Sequence, residues 1–377
     1  MEYRPLGRTG LTVSAVGLGT EYLIDQPRDE VIRLVRTAID SGVNYMDVFW
    51  ARPSFRDMMG EAVSGRRDRV MLGAHLGSVE INGQYDKTRD PALAREFFDD
   101  FLRRYQTDYV DLLFLHNCDD QDDYDRLTRP GGLLELARSL RDQGYARHLA
   151  FSGHTPSTSS QIVNTGEIGA LMFPVNIAGH AAPGRQRMLE LCAERGIGVI
   201  AMKPYAGGRM LSEARTLDLE KWHYGGGTGR TFDRHMRVTP LQCLAYTLTQ
   251  PAVATAVPGC KELAHLEQAL AWNDATTKER DFGWVLADYS EFVPGQCTYC
   301  NHCLPCPSGI DIGQVIRLLD EYEAHPSPEL VARYRALPVP ASECVQCYSC
   351  ERRCPFGVGT VARLERAVQV FESAAVG

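Results

Sequence analysis

Short apolar runs alternate with amphipathic stretches from about residue 11 to about residue 290. Eight of the runs are continuously apolar, a pattern typical of parallel strands that are buried on both faces. These predicted strands lie at 13–19, 43–49, 69–75, 109–116, 148–154, 170–176, 197–203 and 252–259.

The stretches between the runs carry apolar residues at i, i+3, i+4 and i+7, the spacing of one helix face. After Pro27, such a stripe extends from Val31 to Ile39 and ends before Gly42. Further helical patterns cover 91–105, 131–143, 185–195, 239–249 and 261–271. Eight strand–helix repeats in about 280 residues predict a (β/α)8 barrel.

A doubly wound sheet is the alternative α/β fold. It would carry GxGxxG after its first strand and an acidic residue about 20 positions later. The first run ends in Gly17-Leu18-Gly19-Thr20, without a third glycine in register. We therefore predict a TIM barrel over residues 1–290 and a second domain over residues 291–377.

The second domain is predicted from its cysteines, because eight of the twelve in the chain lie between residues 297 and 354. They form the runs Cys297-x2-Cys300-x2-Cys303-x2-Cys306-Pro and Cys344-x2-Cys347-x2-Cys350-x3-Cys354-Pro. The second spacing is the bacterial ferredoxin run, and the first is one residue shorter at its last step. The pattern predicts an α-helical, ferredoxin-like domain with two [4Fe–4S] clusters and helices within 311–337 and 360–372.

The fourth cysteine of such a run binds the other cluster in two-cluster ferredoxins. The predicted ligand sets are Cys297, Cys300, Cys303 with Cys354, and Cys344, Cys347, Cys350 with Cys306. Zinc is the alternative, although four-cysteine zinc sites usually use two separated CxxC pairs. The clusters are either structural or an electron relay. Two adjacent clusters favour a relay, and hence a ferredoxin or another redox partner.

Several motifs in the barrel segments carry a family resemblance. They are RPLGRTGLTVSAVGLGT at 4–20, NYMD at 44–47, YVDLLFLH at 109–116, FSGH at 151–154, GVIAMKPYAGG at 198–208 and AVPG at 256–259. Residues 3–290 resemble the aldo-keto reductase superfamily, and the whole chain resembles its branch with a C-terminal ferredoxin-like extension. The resemblance implies hydride transfer between a nicotinamide and a carbonyl, with a tyrosine as proton donor supported by an aspartate, a lysine and a histidine.

Two of these four catalytic positions depart from the family pattern. Asp47 matches the aspartate and His116 the histidine, whereas Arg52 stands at the tyrosine position and His75 at the lysine position. Arginine keeps its proton at any working pH, so Arg52 is no general acid, but it could clamp an anionic substrate. Either histidine could transfer the proton instead, because imidazole titrates near neutrality. The alternative is that His75 only fills a strand end.

The nicotinamide site implied by the resemblance is partly retained. Its candidate residues are Gly19, Thr20, Ser152, Asn176, Lys203 and Gly259. The family's phosphate clamp is a Lys-Ser pair and a later arginine, and the corresponding positions here are Gly259, Cys260 and His265. NAD(P) is therefore an open expectation, and recognition of the 2′-phosphate lacks its family residues.

The composition narrows the class of protein. The 377 residues are 44% hydrophobic and 23% charged, with a formal net charge of −8, which excludes disordered and collagen-like classes. The acidic balance argues against nucleic acid as a partner. No apolar run approaches the roughly 20 residues of a membrane span, and the N-terminus lacks the apolar core of a signal peptide. We expect a cytoplasmic protein.

Together these patterns predict an iron–sulfur oxidoreductase that acts on a carbonyl or hydroxyl group of a small molecule. A second hypothesis is that the barrel performs a non-redox step, elimination or epimerisation, with His75 and His116 as acid and base. A third is an electron-transfer subunit whose barrel is a docking surface.

Overall fold

The computed structural model describes residues 1–180, 182, 184–211, 216–218, 231–233, 238–283, 297, 303–324, 326–354 and 357–373. These residues belong to two compact units. The first ends at Phe282, and the second contains the residues from Gly283 onward together with strands 216–218 and 231–233. The boundary predicted at residue 290 lies outside the described residues, so it stays a prediction.

Fourteen strands occur in the described residues. In chain order they are β1 (Tyr3–Pro5), β2 (Thr12–Ser14), β3 (Leu18–Gly19), β4 (Tyr45–Val48), β5 (Met71–Leu76), β6 (Ser78–Ile81), β7 (Gln84–Lys87), β8 (Val110–Leu115), β9 (Ala146–Ser152), β10 (Ala170–Pro174), β11 (Gly198–Met202), β12 (Thr216–Asp218), β13 (Thr231–Asp233) and β14 (Val253–Val257). Three antiparallel pairs, β1–β2, β6–β7 and β12–β13, each form a separate two-stranded sheet.

The main sheet is a closed parallel barrel. Its eight strands neighbour one another in the order β3-β4-β5-β8-β9-β10-β11-β14. Parallel bridges from Val16 to Ala256 and from Gly19 to Gly259 join the first strand to the last. The alternation of strands and helices around this ring confirms the predicted (β/α)8 barrel.

Nine helices of the first unit are described. They are α1 (Arg28–Asp40), α2 (Pro53–Val63), α3 (Pro91–Tyr105), α4 (Gln121–Thr128), α5 (Leu133–Asp142), α6 (Pro156–Thr165), α7 (Arg185–Glu194), α8 (Pro240–Leu248) and α9 (Leu263–Leu270). Helix α3 has the predicted bounds because its end signals are strong. The Asp90 side chain accepts from the Ala92 N–H at 2.8 Å, and the helix ends at Gln106 in the left-handed region.

The N-terminal hairpin fills the amino-terminal end of the barrel. Leu6 and Val13 are fully buried in the apolar interior of the ring. A Cβ added to Gly7 would lie 2.3 Å from the Gly198 nitrogen at the start of β11, so only glycine permits this approach. Ligands are therefore expected at the opposite end, above the carboxyl ends of the strands, where barrel enzymes build their sites.

The second unit is mainly helical in its described part. Its helices are α10 (Ile312–Ala324), α11 (Pro328–Arg335), α12 (Ser349–Arg353) and α13 (Thr360–Ala367), and a π-helical turn covers Val368–Glu372. Phe371 is buried and stacks on Tyr334 with ring centroids 4.4 Å apart. Arg363 forms ion pairs with Asp320 and Glu323 and so joins α13 to α10. Within the described ranges, no helix combines the length and apolar character that a bilayer crossing needs.

Candidate active site

Three of the predicted catalytic side chains form one buried hydrogen-bonded group. Asp47 lies on β4, His75 on β5, and His116 directly after β8, so the group spans three neighbouring strands at their carboxyl ends. His75 Nε2 lies 2.8 Å from Asp47 Oδ1, and His75 Nδ1 lies 2.8 Å from His116 Nδ1. All three residues are buried.

A fourth residue, Tyr85, extends this group, and the sequence analysis missed it. Its hydroxyl oxygen lies 2.6 Å from His116 Nε2. Tyr85 belongs to β7 of the hairpin that follows barrel strand β5 almost immediately. The hairpin turns at Asn82-Gly83, whose φ angles of 53° and 75° are both left-handed. An Asn-Gly pair between strand-like residues is the strongest local signal for such a hairpin, so the sequence contained the clue.

The hairpin is fastened to the barrel from both of its strands. The Ser78 hydroxyl donates to the Phe49 carbonyl at 2.5 Å, and Lys87 Nζ donates to Asp123 Oδ2 at 2.9 Å. Side chains on β6 and β7 therefore both have partners outside the hairpin. This attachment holds the Tyr85 hydroxyl against His116.

With both imidazoles neutral and Asp47 ionised, one arrangement of protons satisfies every hydrogen bond in the group. An ionised carboxylate only accepts, so Asp47 requires a proton on His75 Nε2. A neutral His75 then accepts at Nδ1 from His116 Nδ1–H. A neutral His116 in turn accepts at Nε2 from the Tyr85 hydroxyl. In this arrangement each group donates its proton to the next group along the chain, from Tyr85 through His116 and His75 to Asp47.

The electrostatic environment favours a neutral His116 and a protonated Tyr85. Burial lowers the pKa of His116 well below its usual value, and the positive charge of Arg89 lowers it further. Burial raises the pKa of Tyr85, and a hydrogen bond from Asn117 and the charge of Arg89 oppose that rise. At neutral pH the group therefore holds a neutral imidazole beside a protonated phenol.

Aromatic side chains enclose the same group. Phe49 and Trp50 lie with ring centroids 4.6 Å apart, and both meet the Tyr85 ring nearly edge-on. The Phe114 ring stacks on His75 with centroids 4.7 Å apart. The polar chain is therefore surrounded by apolar surface suited to the carbon skeleton of a small molecule.

Arg52 makes its contacts outside this chain. It immediately precedes α2, with its Nη1 3.2 Å from Asp25 Oδ1 and its Nε 3.4 Å from Glu80 Oε2. Two carboxylates thus already compensate its charge. Because Glu80 belongs to β6, Arg52 also ties the hairpin to α2. The prediction that Arg52 binds an anionic substrate stays a prediction, and an incoming anion would compete with these two acids.

The residues predicted to hold a nicotinamide lie at or just beyond the carboxyl ends of the barrel strands. Asn176 donates from Nδ2 to the Lys203 carbonyl at 3.0 Å and accepts at Oδ1 from the Gly179 N–H at 2.9 Å. An amide has two donors and two lone pairs, so one of each remains for a carboxamide. Ser152 lies at the end of the neighbouring strand β9. These two residues fit the amide group of a nicotinamide.

The remaining candidate residues for the nicotinamide already contact other groups of the protein. Thr20 Oγ1 donates to the Asp47 carbonyl at 2.7 Å, and Lys203 Nζ lies 3.1 Å from His154 Nε2. A Cβ added to Gly259 would lie 2.5 Å from the Tyr22 ring, which therefore covers this glycine. A lysine at position 259 would require Tyr22 to move. In this structure the Tyr22 ring thus occupies the space that a side chain of the family's phosphate clamp would enter at position 259.

Four of the predicted metal-binding cysteines line one cavity in the second unit. Its cysteines are Cys306, Cys344, Cys347 and Cys350. This is the set predicted for one cross-ligated cluster, three cysteines from one run and the fourth from the other. Ile312, Val361 and Leu364 also line the cavity, so its wall is partly apolar.

The loop between these cysteines has an unusual backbone. Gln346 and Tyr348 both have left-handed φ angles, 51° and 57°, although neither is a glycine. Such conformations are uncommon and persist where the surroundings hold the chain in place. They turn the loop between Cys344 and Cys350 around the cavity.

The other predicted ligand set is described only in part, because Cys300 lies outside the described residues. Arg353 donates to the carbonyls of Cys303 and Pro305, both at 2.6 Å, and so links the two cysteine runs. Among the described residues, no three His, Cys, Asp or Glu side chains converge as the ligands of a single metal ion. In an iron–sulfur cube each thiolate binds a different iron, so its sulfurs stand further apart than those around one ion.

The comparisons with known proteins agree with this geometry. Residues 15–285 match the Aldo/keto reductase family, and the chain belongs to that family. It is an oxidoreductase of the aldo-keto reductase type. A curated relative, the uncharacterized oxidoreductase YqkF of Bacillus subtilis, is 25% identical over 284 residues, which span 71% of this chain and 90% of that protein.

Solved structures show the same fold. The aldo-keto reductase AKR11C1 from Bacillus halodurans (holo form) is 24% identical with a TM-score of 0.59, over 74% of this chain and 94% of that one. The putative aldo-keto reductase PA4992 from Pseudomonas aeruginosa is 22% identical with a TM-score of 0.56, over 72% and 93%. Both matches leave about a quarter of the present chain uncovered.

Proposed function

We propose that this aldo-keto reductase-type enzyme acts on a carbonyl or hydroxyl group of a small molecule and exchanges single electrons through two [4Fe–4S] clusters. A ferredoxin or another redox partner would supply or remove those electrons. The observation that carries the proposal is the pairing of two features in one chain. One is the buried acid–base group of Asp47, His75 and His116, and the other is the four-cysteine cavity of the second unit.

The barrel site is suited to a substrate with one reactive oxygen on an apolar body. The proton-carrying group ends at the Tyr85 hydroxyl, where the Phe49 and Trp50 rings lie beside it. An oxygen of the substrate would bind at that polar end, and its carbon skeleton would lie against the rings. The side-chain amide of Asn176 and the hydroxyl of Ser152 would hold the carboxamide of a nicotinamide.

The cysteine cavity supports the cross-ligated arrangement. Cys306, which belongs to the first run, lines the same cavity as Cys344, Cys347 and Cys350 of the second. A [4Fe–4S] cluster held by such thiolates supplies one-electron chemistry, often at low potential. The apolar residues of the cavity wall would limit water access on their side, whereas Cys347 is exposed; solvent access is one of the factors that set the potential.

The metal content tests the cluster proposal. Protein purified without oxygen should contain about eight iron and eight acid-labile sulfide atoms per chain, as two cubes require. Dithionite should produce an electron paramagnetic resonance signal that reoxidation removes. Stoichiometric zinc without iron would contradict the proposal. Iron that cannot be reduced and reoxidised reversibly would leave the clusters a structural role only.

A nicotinamide titration tests the barrel site. We expect NADH and NADPH to bind with similar affinity, because the residues that would distinguish the 2′-phosphate are absent from the clamp position. The matched variant is Asn176→Asp, which removes the amide donor at nearly constant volume. If neither nucleotide binds at millimolar concentration, nicotinamide-dependent reduction is excluded and only electron supply through the clusters remains.

The second candidate function is a non-redox acid–base step, and the direct contact of His75 with His116 favours it. Two linked imidazoles can accept a proton at one ring nitrogen and pass it on at another. Elimination or epimerisation would exchange a carbon-bound hydrogen of the substrate with solvent while NAD(P)H absorbance and cluster signals stay constant. Incubation in deuterium oxide with mass spectrometry of the recovered substrate distinguishes the two functions.

A further inference from the structure

We infer that Tyr85, carried by the β6–β7 hairpin, is the catalytic residue that exchanges a proton with the substrate oxygen. This inference rests on the proposed function of the barrel site. It assigns to a tyrosine on β7 the role that Arg52, at the family's tyrosine position, does not fill. The arginine stays protonated and pairs with Asp25 and Glu80.

The hydrogen-bond inventory of the group singles out Tyr85. Both nitrogens of His75 are occupied, by Asp47 and by His116. Both nitrogens of His116 are occupied as well, by His75 and by Tyr85. With both imidazoles neutral, the Tyr85 hydroxyl donates its proton to His116 Nε2, and the Tyr85 oxygen still has acceptor capacity. Tyr85 is also the accessible end of the group, 38% exposed, while the other three members are buried.

The surroundings of the phenol suit reversible loss of its proton. Burial raises the pKa of Tyr85, so the protonated form is the resting state. A hydrogen bond from the Asn117 amide and the positive charge of Arg89 both stabilise the phenolate, while Asp86 and Asp119 oppose it. The aromatic rings of Phe49 and Trp50 hold the phenol ring on its flanks.

The proton inventory gives a balanced step. When a substrate hydroxyl is oxidised, its O–H proton moves to the Tyr85 oxygen as the Tyr85 proton moves to His116 Nε2. The resulting positive charge is balanced by Asp47 through His75. The carbon-bound hydrogen leaves as hydride to an acceptor of the oxidised nicotinamide class. Reduction of a carbonyl is the reverse, with the proton returning from His116 through Tyr85 to the substrate oxygen.

Two variants that each remove one phenol hydroxyl test the inference. Tyr85→Phe removes the proposed donor. Tyr3→Phe is the matched control, because the Tyr3 hydroxyl donates one hydrogen bond, to the Gly42 carbonyl at 2.9 Å, in the N-terminal hairpin. The first readout is independent of turnover. In protein labelled with ¹⁵N-histidine, Tyr85→Phe should shift the Nε2 resonance of His116, and Tyr3→Phe should not.

The second readout is turnover of 4-nitrobenzaldehyde with NADH or NADPH, and of 4-nitrobenzyl alcohol with NAD⁺ or NADP⁺. Tyr85→Phe should lower kcat at least about 100-fold with KM changed less than about threefold, the scale of a lost general acid. Tyr3→Phe should leave kcat unchanged. An unaltered histidine spectrum, or a Tyr85→Phe variant that keeps more than a tenth of kcat, would overturn the inference. If Tyr85→Phe shifts the His116 resonance but the wild type turns over none of these probes, the hydrogen bond between Tyr85 and His116 is supported. The proposed redox function is then contradicted.

Discussion

His75 and His116 meet through their Nδ1 atoms, which lie 2.8 Å apart. Only one of two such nitrogens can carry the proton of that hydrogen bond, so the protonation of each ring depends on the other. If both rings carried protons on Nδ1, two N–H groups would face each other. The pair therefore accommodates one added proton and resists a second.

Removal of His75 should destabilise the barrel. His75→Ala leaves the Asp47 carboxylate and the His116 Nδ1–H buried without their partner. We expect the free energy of unfolding to fall by roughly 2 kcal/mol or more, the scale for buried polar groups that lose a hydrogen bond. Urea unfolding followed by circular dichroism measures it. His265→Ala, whose side chain is 45% exposed, is the control and should change it by less than about 0.5 kcal/mol. Equal effects would refute the buried network.

The lowered pKa of His116 predicts a pH dependence of stability. The unfolded chain binds a proton at this residue near pH 6.5, whereas the folded protein does not. Stability from this group is therefore complete above about pH 6.5 and decreases as the pH falls below it. His116→Gln should make the free energy of unfolding less dependent on pH between 6.5 and 5, by up to about 1.4 kcal/mol per pH unit. Parallel wild-type and variant curves would contradict this.

The hairpin turn should affect turnover more than a similar turn elsewhere. Gly83 and Gly166 have the same φ of 75°, and a Cβ at either would meet nothing within 4 Å. Alanine at each position should cost about 1 kcal/mol of stability, through left-handed strain alone. Gly83→Ala should in addition lower kcat, because the turn presents Tyr85, whereas Gly166→Ala should not. If Gly83→Ala and Gly166→Ala had the same kcat in a steady-state assay, Tyr85 would have no part in the catalytic step.

Single cysteine variants should sort the ligands into two clusters. Cys306 and Cys347 line the same cavity. Cys306→Ala and Cys347→Ala should therefore remove the same electron paramagnetic resonance signal, together with about half of the iron. Cys354→Ala should remove the other signal. The buried barrel residue Cys192 supplies the control, and its alanine variant should keep all of the iron. If all three ligand variants lost the same signal, the cross-ligated assignment would be excluded.

Arg52 should contribute little to the free energy of unfolding. Its side chain is 33% exposed and its ion pairs with Asp25 and Glu80 are long, so Arg52→Leu should change the free energy of unfolding by less than about 1 kcal/mol. If Arg52 also binds an anionic substrate, the variant should raise KM for carboxylate-bearing aldehydes and not for neutral ones. Thermal melts and paired steady-state assays measure the two effects.

The barrel was predictable because its signals are local. Continuous apolar runs identified the strands, and strong end signals at Asp90 and Pro91 fixed helix α3. Motif matching also brought Asp47, His75 and His116 to neighbouring strand ends. The sequence did not show that the two imidazoles touch, because that distance depends on how far each side chain reaches across the ring.

The role of the hairpin was harder to foresee. Asn82-Gly83 marks a turn, but nothing local indicates that Tyr85 folds back over β8 to reach His116. That contact depends on partners distant in sequence, such as Asp123 for Lys87 and Phe49 for Ser78. Likewise, the cysteine spacing predicted which thiols belong together, while the left-handed residues Gln346 and Tyr348 follow from the fold of the loop.

The hairpin leaves and rejoins the barrel at almost one point. The Thr88 N–H donates to the Gly77 carbonyl at 2.8 Å, so the two ends of the hairpin meet directly after β5. A segment whose ends meet can be lengthened, exchanged or excised without moving the flanking strand and helix. Tyr85 can therefore be moved or replaced while Asp47, His75 and His116 stay at the ends of their barrel strands, and a hairpin of this kind is a unit that could be grafted onto related barrels to supply a proton donor.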